Sequence, residues 1–377
     1  MRKRKITALL GALMLLVGII LTGCGSKSGN EAGKGKDDVI NLGVMLYNYT
    51  DIQGQEIKSY GSYLESQFNV KFNYATVGSS EEDHIKGLEN LLASGVDGII
   101  SGYDTALEQS VNLAEEAGVY YAVVLGSVNG SVTSDYLVGG IKQFGDNPAD
   151  LGALYAEQAY KAGARKIGVT SFPEFAFTDA PAIISGFTDK MKELDTKGET
   201  EIYPTEYHSF APENASDAVT KIISGHPEVD TIFGLGSGMD FVYPAILNSA
   251  NPGIRLLALG YNNSTTAGLQ NGNIMMAGTN NYTQIMANAF AQLYDRIQGH
   301  KYPDWQLNGK VSYVTLSSPD EAKQFNTYVI PSDKSKGSVT ADELKKVMVS
   351  FNESATWESL QTLTSRTLAE IAAARQE

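Results

Sequence analysis

The sequence predicts an α/β protein built as two doubly wound parallel-sheet lobes, with a helical extension at the C-terminal end. Three observations carry that expectation. From Val39 onward short apolar runs alternate with longer amphipathic stretches, the pattern of βα units feeding a parallel sheet. The alternation starts afresh near Ala149, so a second sheet is needed to hold it. The length of 377 residues corresponds to two domains at roughly 100–200 residues each. With 42% hydrophobic and 19% charged residues, the composition is that of packed globular structure, which excludes disorder, collagen and a polytopic membrane protein.

In the first lobe the strands are expected at 39–46, 70–75, 98–100 and 120–125. Between them lie helices such as 84–93, which places Ile85, Leu88, Leu91 and Leu92 on one face, and 107–117, which stops at Gly118. The second lobe reads as helix 149–161, strand 166–170, helix 182–194, strand 201–207, helix 215–224, strand 231–233, helix 242–248 and strands 256–259 and 274–277. A strong helix at 282–297 follows, then an irregular tract at 299–333. From 341 to 377 Leu344, Val347, Met348, Leu360, Leu363, Leu368 and Ile371 recur at helical spacing, and this extension is expected to pack on one of the lobes.

The N-terminal end has a different character. Arg2, Lys3, Arg4 and Lys5 precede a continuous apolar stretch at 6–21 and the sequence Leu21-Thr22-Gly23-Cys24. A basic start, a short apolar core and small residues before a cut make a secretory signal, and the stretch is shorter than the roughly 20 residues of a membrane-spanning helix. This segment resembles a bacterial lipoprotein signal, which implies cleavage after residue 23 and diacylglycerol on Cys24, the single cysteine. Residues 24–38 contain almost nothing apolar and read as a tether. The net charge of −14, more acidic still once the four basic residues are gone, argues against nucleic acid as a partner.

In open parallel sheets ligands bind beyond the carboxyl ends of the strands. The residues found there are Tyr47, Asn48, Tyr49 and Asp51 after the first strand, Tyr103 and Asp104 after the third, and Gly126 and Ser127 after the fourth. The second lobe offers Phe172, Phe177 and Asp179, then Phe210, then Ser237 and Asp240, then Asn262, and finally Asn280. Amides and carboxylates hydrogen-bond hydroxyls while ring faces cover C–H surface, a mixture suited to a small polar organic ligand.

Two passages resemble a known family. His226-Pro227-Glu228-Val229-Asp230-Thr231-Ile232-Phe233 looks like the His-Pro-Asp-(Ile/Val)-x-Ala-Val-Phe passage of the type I periplasmic solute-binding proteins, the sugar-binding partners of bacterial ABC importers. Leu91-Leu92-Ala93-Ser94-Gly95-Val96-Asp97-Gly98-Ile99-Ile100 is similar to its Leu-Ile-x-x-Gly-Val-Asp-Ala-Ile-Ile. The resemblance extends from Val39 to about Gly299. It implies two lobes joined by a three-strand hinge, with 39–141 and 282–310 forming one, 142–281 and 311–337 the other, and 338–377 the extension. It further implies a ligand-closed cleft, a permease partner, action as a monomer and residence on the outer face of a cell membrane, here that of a Gram-positive cell through the lipid on Cys24.

Departures from the family pattern bear on the ligand. Gly126 and Ser127 stand where the family has Asp-Arg, Pro181 falls where a second arginine is expected, Gly236-Ser237 replace Asn-Asp, Tyr261-Asn262 replace Phe-Asp, and Asn280 replaces Gln. Phe210 keeps the stacking aromatic. Arginine is a rigid bidentate donor that neither Ser nor Pro can imitate. The site therefore departs from the usual monosaccharide mode and leaves open a glycoside, a modified sugar, a nucleoside or a cationic solute. The candidate ligand residues are Tyr47, Asn48, Tyr49, Tyr103, Asp104, Ser127, Phe172, Phe177, Phe210, Ser237, Asp240, Asn262 and Asn280.

No cofactor, metal or enzymatic activity is expected. Gly234, Gly236 and Gly238 do not have dinucleotide-loop spacing, the four histidines show no zinc-ligand spacing, and no G-x-S-x-G elbow occurs. Repressors sharing the two lobes carry an N-terminal helix-turn-helix, where this chain has a signal and lipid box. A sensor that hands its closed form to a membrane kinase or chemoreceptor stays open beside the importer.

Overall fold

The computed structural model describes residues 38–376, apart from positions 79 and 104. The signal, most of the tether, Cys24 and Asp104 lie outside the described residues. The first lobe begins β1 (Ile40–Leu46), α1 (Ile52–Gln67), β2 (Val70–Thr76), α2 (Glu81–Ala93), β3 (Gly98–Ser101), α3 (Leu107–Glu116), β4 (Tyr120–Val123) and β5 (Leu137–Lys142). β1 is buried along almost its whole length, as a central parallel strand covered on both faces must be. Ser80 caps α2 by accepting from Asp83 N, and Glu81, Glu82 and Asp83 meet the positive end of its dipole. Gly95 and Gly118, at φ 78° and 70°, turn the chain out of α2 and α3 through the left-handed region.

The chain then builds a second sheet through α4 (Pro148–Lys161), β6 (Lys166–Ser171), α5 (Ala180–Leu194), β7 (Glu201–Tyr207), α6 (Pro212–Gly225), β8 (Thr231–Gly234), α7 (Tyr243–Leu247), β9 (Arg255–Leu259), α8 (Thr265–Asn271) and β10 (Ile274–Asn280). It returns as α9 (Tyr282–Ile297) and β11 (Asn308–Lys310), crosses again to β12 (Tyr313–Leu316) and α10 (Pro319–Gln324), and ends in α11 (Ala341–Val347), α12 (Trp357–Thr364) and α13 (Leu368–Gln376). Among the described residues the strands form two six-stranded sheets, β11-β5-β4-β3-β1-β2 and β12-β10-β9-β8-β6-β7. Every pairing is parallel except β10 with β12. The short strands β5, β11 and β12 lie outside the strands the sequence pattern predicts. β5 has Gly139 and Gly140 at its middle, and β11 has only three residues, too little apolar sequence to register as a strand.

The extension differs from the expectation of packing on one lobe. Val339, Ala341, Leu344, Met348, Trp357, Leu360 and Leu363 belong to the first lobe's core with α1 and α9, whereas Ile371 of α13 belongs to the second lobe's core with Phe325 and Val329. The reason is α9, which is nearly all buried yet carries a polar stripe. Gln284 Nε2 donates to Arg366 O at 2.7 Å, Asn288 Nδ2 to Thr364 Oγ1 at 2.9 Å, and Asp295 accepts from Val349 N and Ser350 N at 2.8 and 2.9 Å. Buried polar groups need such partners, and the extension supplies them.

Candidate functional site

The carboxyl ends of both sheets open onto one cleft of about 380 Å³. The first lobe lends it Asp51, Ile52 and Gln53 from the start of α1, Tyr103 after β3, and Gly126 and Ser127 after β4. The second lends Phe172, Phe177, Asp179, Phe210, Ser237, Asp240 and Tyr261, while Gln143 and Phe144, just after β5, Asn280 at the end of β10, Tyr282 at the start of α9 and Tyr313 at the start of β12 flank the passages between the sheets. The rings fall into two groups: Phe172 and Phe210 have centroids 4.5 Å apart, while Phe144 lies 5.2 Å from Tyr313 and 5.6 Å from Phe177. At the rim Tyr47 of the first lobe reaches Phe210 of the second at 6.3 Å, so the lobes touch across the cleft.

The loop after β8 is shaped for these rings. Gly236 takes φ 73°, where a side chain would strike the Phe172 ring, and Ser237 follows at φ 59°, a left-handed conformation that a non-glycine residue holds only at some cost in strain. It leads into a π-helical turn, Gly238–Val242, which carries Asp240. Asn262 Nδ2 donates to Asp240 Oδ1 at 2.9 Å and to Met239 O at 3.0 Å, which fixes that carboxylate. Although Asp240 keeps contact with solvent, the cleft walls take water from its carboxyl and raise its pKa, Asn262 opposes, and Asp51 raises it further. Half-burial raises Asp179 likewise. Burial pushes the Tyr103 phenol up to about 12 and raises those of Tyr282 and Tyr313, so all three keep their protons at neutral pH.

Of the residues predicted for the site, Tyr103, Ser127, Phe172, Phe177, Phe210, Ser237, Asp240 and Asn280 line the cleft, and Tyr47 stands at its rim. Three others, Asn48, Tyr49 and Asn262, are not among the lining residues. Asn48 Oδ1 accepts from Thr50 N and Asp51 N, an Asx turn that leads into α1. Tyr49 donates its hydroxyl toward Val44 O at 2.9 Å and packs edge-on against Tyr74, a scaffold role. Asn262 serves Asp240 rather than the open space. Asp104 is outside the described residues. Gln143 and Phe144 were missed because they follow β5, itself hidden by its glycines, and Tyr282 and Tyr313 because they belong to the crossing segments rather than to a predicted strand end. Among the described residues no group of three or more His, Cys, Asp or Glu is arranged to hold a metal ion, and no helix is long and apolar enough to cross a membrane.

Comparison with known proteins agrees with this architecture. A family model described as a periplasmic binding protein domain matches residues 44–301. An ABC transporter solute-binding protein from Burkholderia graminis, solved with D-arabinose, is 17% identical with a TM-score of 0.62, over 77% of this chain and 98% of that one. One from Agrobacterium vitis with D-fucose is 18% identical with a TM-score of 0.61, over 74% and 95%. A glucose-galactose binding protein from Geobacillus stearothermophilus is 14% identical with a TM-score of 0.58, over 74% and 98%. At such identities the likeness is one of fold. No curated protein matches the chain.

Proposed function

Because the chain belongs to the periplasmic binding protein family, we propose that it is an extracytoplasmic solute-binding protein that captures a small polar, carbohydrate-like ligand between its lobes and delivers it to an ABC importer permease. The observation that carries this is the cleft, whose lining is drawn from both lobes and mixes ring faces with hydrogen-bonding groups. Its volume of about 380 Å³ lies within the usual range for small-molecule sites. That proteins of the same fold are solved with D-arabinose and D-fucose supports a carbohydrate-like cargo.

The mechanism is a population shift. A ligand that touches Tyr103 and Asp51 on one side and Phe172, Phe210 and Ser237 on the other makes its full set of contacts only when the lobes are together. It therefore binds the closed form better and moves the equilibrium toward it. The permease then reads the closed form. In this reading the protein works as a monomer, without cofactor or covalent chemistry, held to the outer face of the membrane of a Gram-positive cell by lipid on Cys24. Palmitate labelling in the producing cell is expected to mark the wild type and not Cys24→Ala; equal labelling of both would remove the anchor.

The cleft is tested by a thermal-shift screen against sugars, glycosides, nucleosides and amines, followed by calorimetry. A ligand present at a thousand times its Kd adds about 4 kcal/mol to the folded state. Phe210→Ala and Asn262→Ala are expected to weaken the hit about 10-fold, with the melting temperature of the free protein little changed. Unaltered affinity in both variants would place the ligand elsewhere.

A further inference from the structure

The charge of the cleft is one-sided. Its described lining contains three carboxylates, Asp51, Asp179 and Asp240, and no Lys, Arg or His. Asp179 makes no side-chain capping bond although it stands at the start of α5. Among the described residues Asp240 accepts a side-chain hydrogen bond from Asn262 alone, through one oxygen. Asp51 is better satisfied, capping α1 through Gly54 N at 2.8 Å and accepting from Asn48 Nδ2 at 3.0 Å, but neither donor cancels its charge. A second, independent feature has the same sense. Asn280 lines the cleft at 9% exposure, spends its Nδ2 on Gln143 Oε1 at 2.6 Å, and leaves its buried Oδ1 without a donor among the described residues.

An orphaned buried acceptor costs free energy until something donates to it. Like charges sharing a walled space repel, and a cation would relieve them. The lining also carries the aromatic rings of Phe172, Phe210, Phe144, Phe177 and Tyr313, and ring faces attract cations. A neutral polyol could answer the acceptors but would leave the net negative charge unneutralised, and the overall charge of −14 favours approach of a positive solute.

Resting on the reading of the cleft as the ligand site, we propose that the cargo carries a protonated amine: an amino-sugar-sized cationic solute whose ammonium is held by the cleft carboxylates and whose body lies against the Phe172 and Phe210 rings. The walls that desolvate Asp240 and Asp179 raise the pKa of both carboxyls, and a bound ammonium would favour their charged forms.

The test uses the full chain in detergent and calorimetry with probes paired to differ in charge: glucosamine with N-acetylglucosamine and glucose, galactosamine with galactose, and putrescine with 1,4-butanediol. The expected result is at least one amine binding 10-fold or more tighter than its neutral counterpart, with that ratio falling below 3-fold in Asp240→Asn or Asp179→Asn. Both variants keep the shape of the side chain, and thermal scans check that each still folds. A neutral member that binds as tightly as its amine overturns the charge inference and leaves the cleft reading standing, provided Phe210→Ala weakens it. Failure of every amine at millimolar concentration also overturns the inference, and the cleft reading falls with it only if the neutral probes are silent too.

Discussion

Glu343 gathers more donors than any other carboxylate of the C-terminal extension: Arg366 Nη1 at 2.8 Å, Arg375 through both terminal nitrogens, and Thr340 N at 2.8 Å. Burial alone would raise its pKa, but the hydrogen bonds from Arg375, Arg366 and Thr340 override that and hold it at about 2, against an ordinary 4.5. A carboxyl depressed on folding stabilises the native state above its unfolded pKa, and that contribution disappears as pH falls through the folded one. Between pH 4.5 and 2, then, up to about 3 kcal/mol of stability is expected to drain away through this residue. Urea melts at pH 6 and pH 3 measure it: Glu343→Gln should lower stability at pH 6 and flatten the difference between the two, and an unchanged difference would refute the assignment. Single residues are also where the sequence is least legible. Tyr49 and Tyr103 are both tyrosines just beyond strand ends, yet one faces the cleft and the other donates into the scaffold, because the direction of a side chain in a loop depends on backbone angles that no periodicity encodes. Asn262 has the right chemistry, but only the π-helical turn beside it shows that its target is Asp240.

At the scale of elements the βα alternation is strong enough to read directly, since each central strand is a short apolar run bounded by turn residues. What escapes is set by length and by neighbours. β11 and β12 have three and four residues and exist because a sheet edge is waiting for them; Asn308 pins the first by exchanging two hydrogen bonds with the Val128 backbone. The polar stripe Gln284, Asn288, Gln292 and Asp295 is visible at helical spacing in α9, but the extension that satisfies Gln284, Asn288 and Asp295 lies some 50 to 80 residues further along. The contact between α4 and α5 shows how little tolerance such packing has. A Cβ on Gly152 would overlap Ile183 O and Phe187 N, and one on Gly186 would overlap the Ala149 backbone. These clashes are with main chain, which cannot rotate away, so even a methyl must push the helices apart. Gly186→Ala is expected to cost roughly 1–3 kcal/mol, as overpacking does, despite alanine's better helix propensity. A thermal scan showing no loss would mean that the helices are not in backbone contact.

Across the whole molecule the C-terminal segment behaves as a brace behind the cleft. After the π-helical turn Phe325–Val329 in the second lobe's core, Lys334 pairs with Glu56 of α1 at 2.5 Å, both side chains being almost fully buried. Ser338 donates to Asn281, the residue that caps α9 where the chain passes between the sheets. α13 then returns, with Ile371 in the second lobe's core, while its Arg375 holds Glu343, whose neighbours Ala341 and Leu344 sit in the first. Beyond the three passages between the sheets the chain therefore joins the lobes twice more, and any opening motion must stretch or carry these joints. Truncation after Thr367 removes the last of them while leaving Trp357, Leu360 and Leu363 in place, so each lobe keeps its own sheet and most of its core. The expected consequence is a wider range of lobe separations in the free protein and weaker ligand binding, because a smaller closed fraction reduces apparent affinity in proportion. Spin labels at Glu116→Cys and Lys197→Cys, both exposed and one on each lobe, in a Cys24→Ser background that removes the single native thiol, report the separation by pulsed dipolar spectroscopy. A distance distribution that broadens on truncation and narrows again with ligand would make α13 a limiter of opening; one that stays as narrow as the full chain's would reduce the extension to a cover for α9.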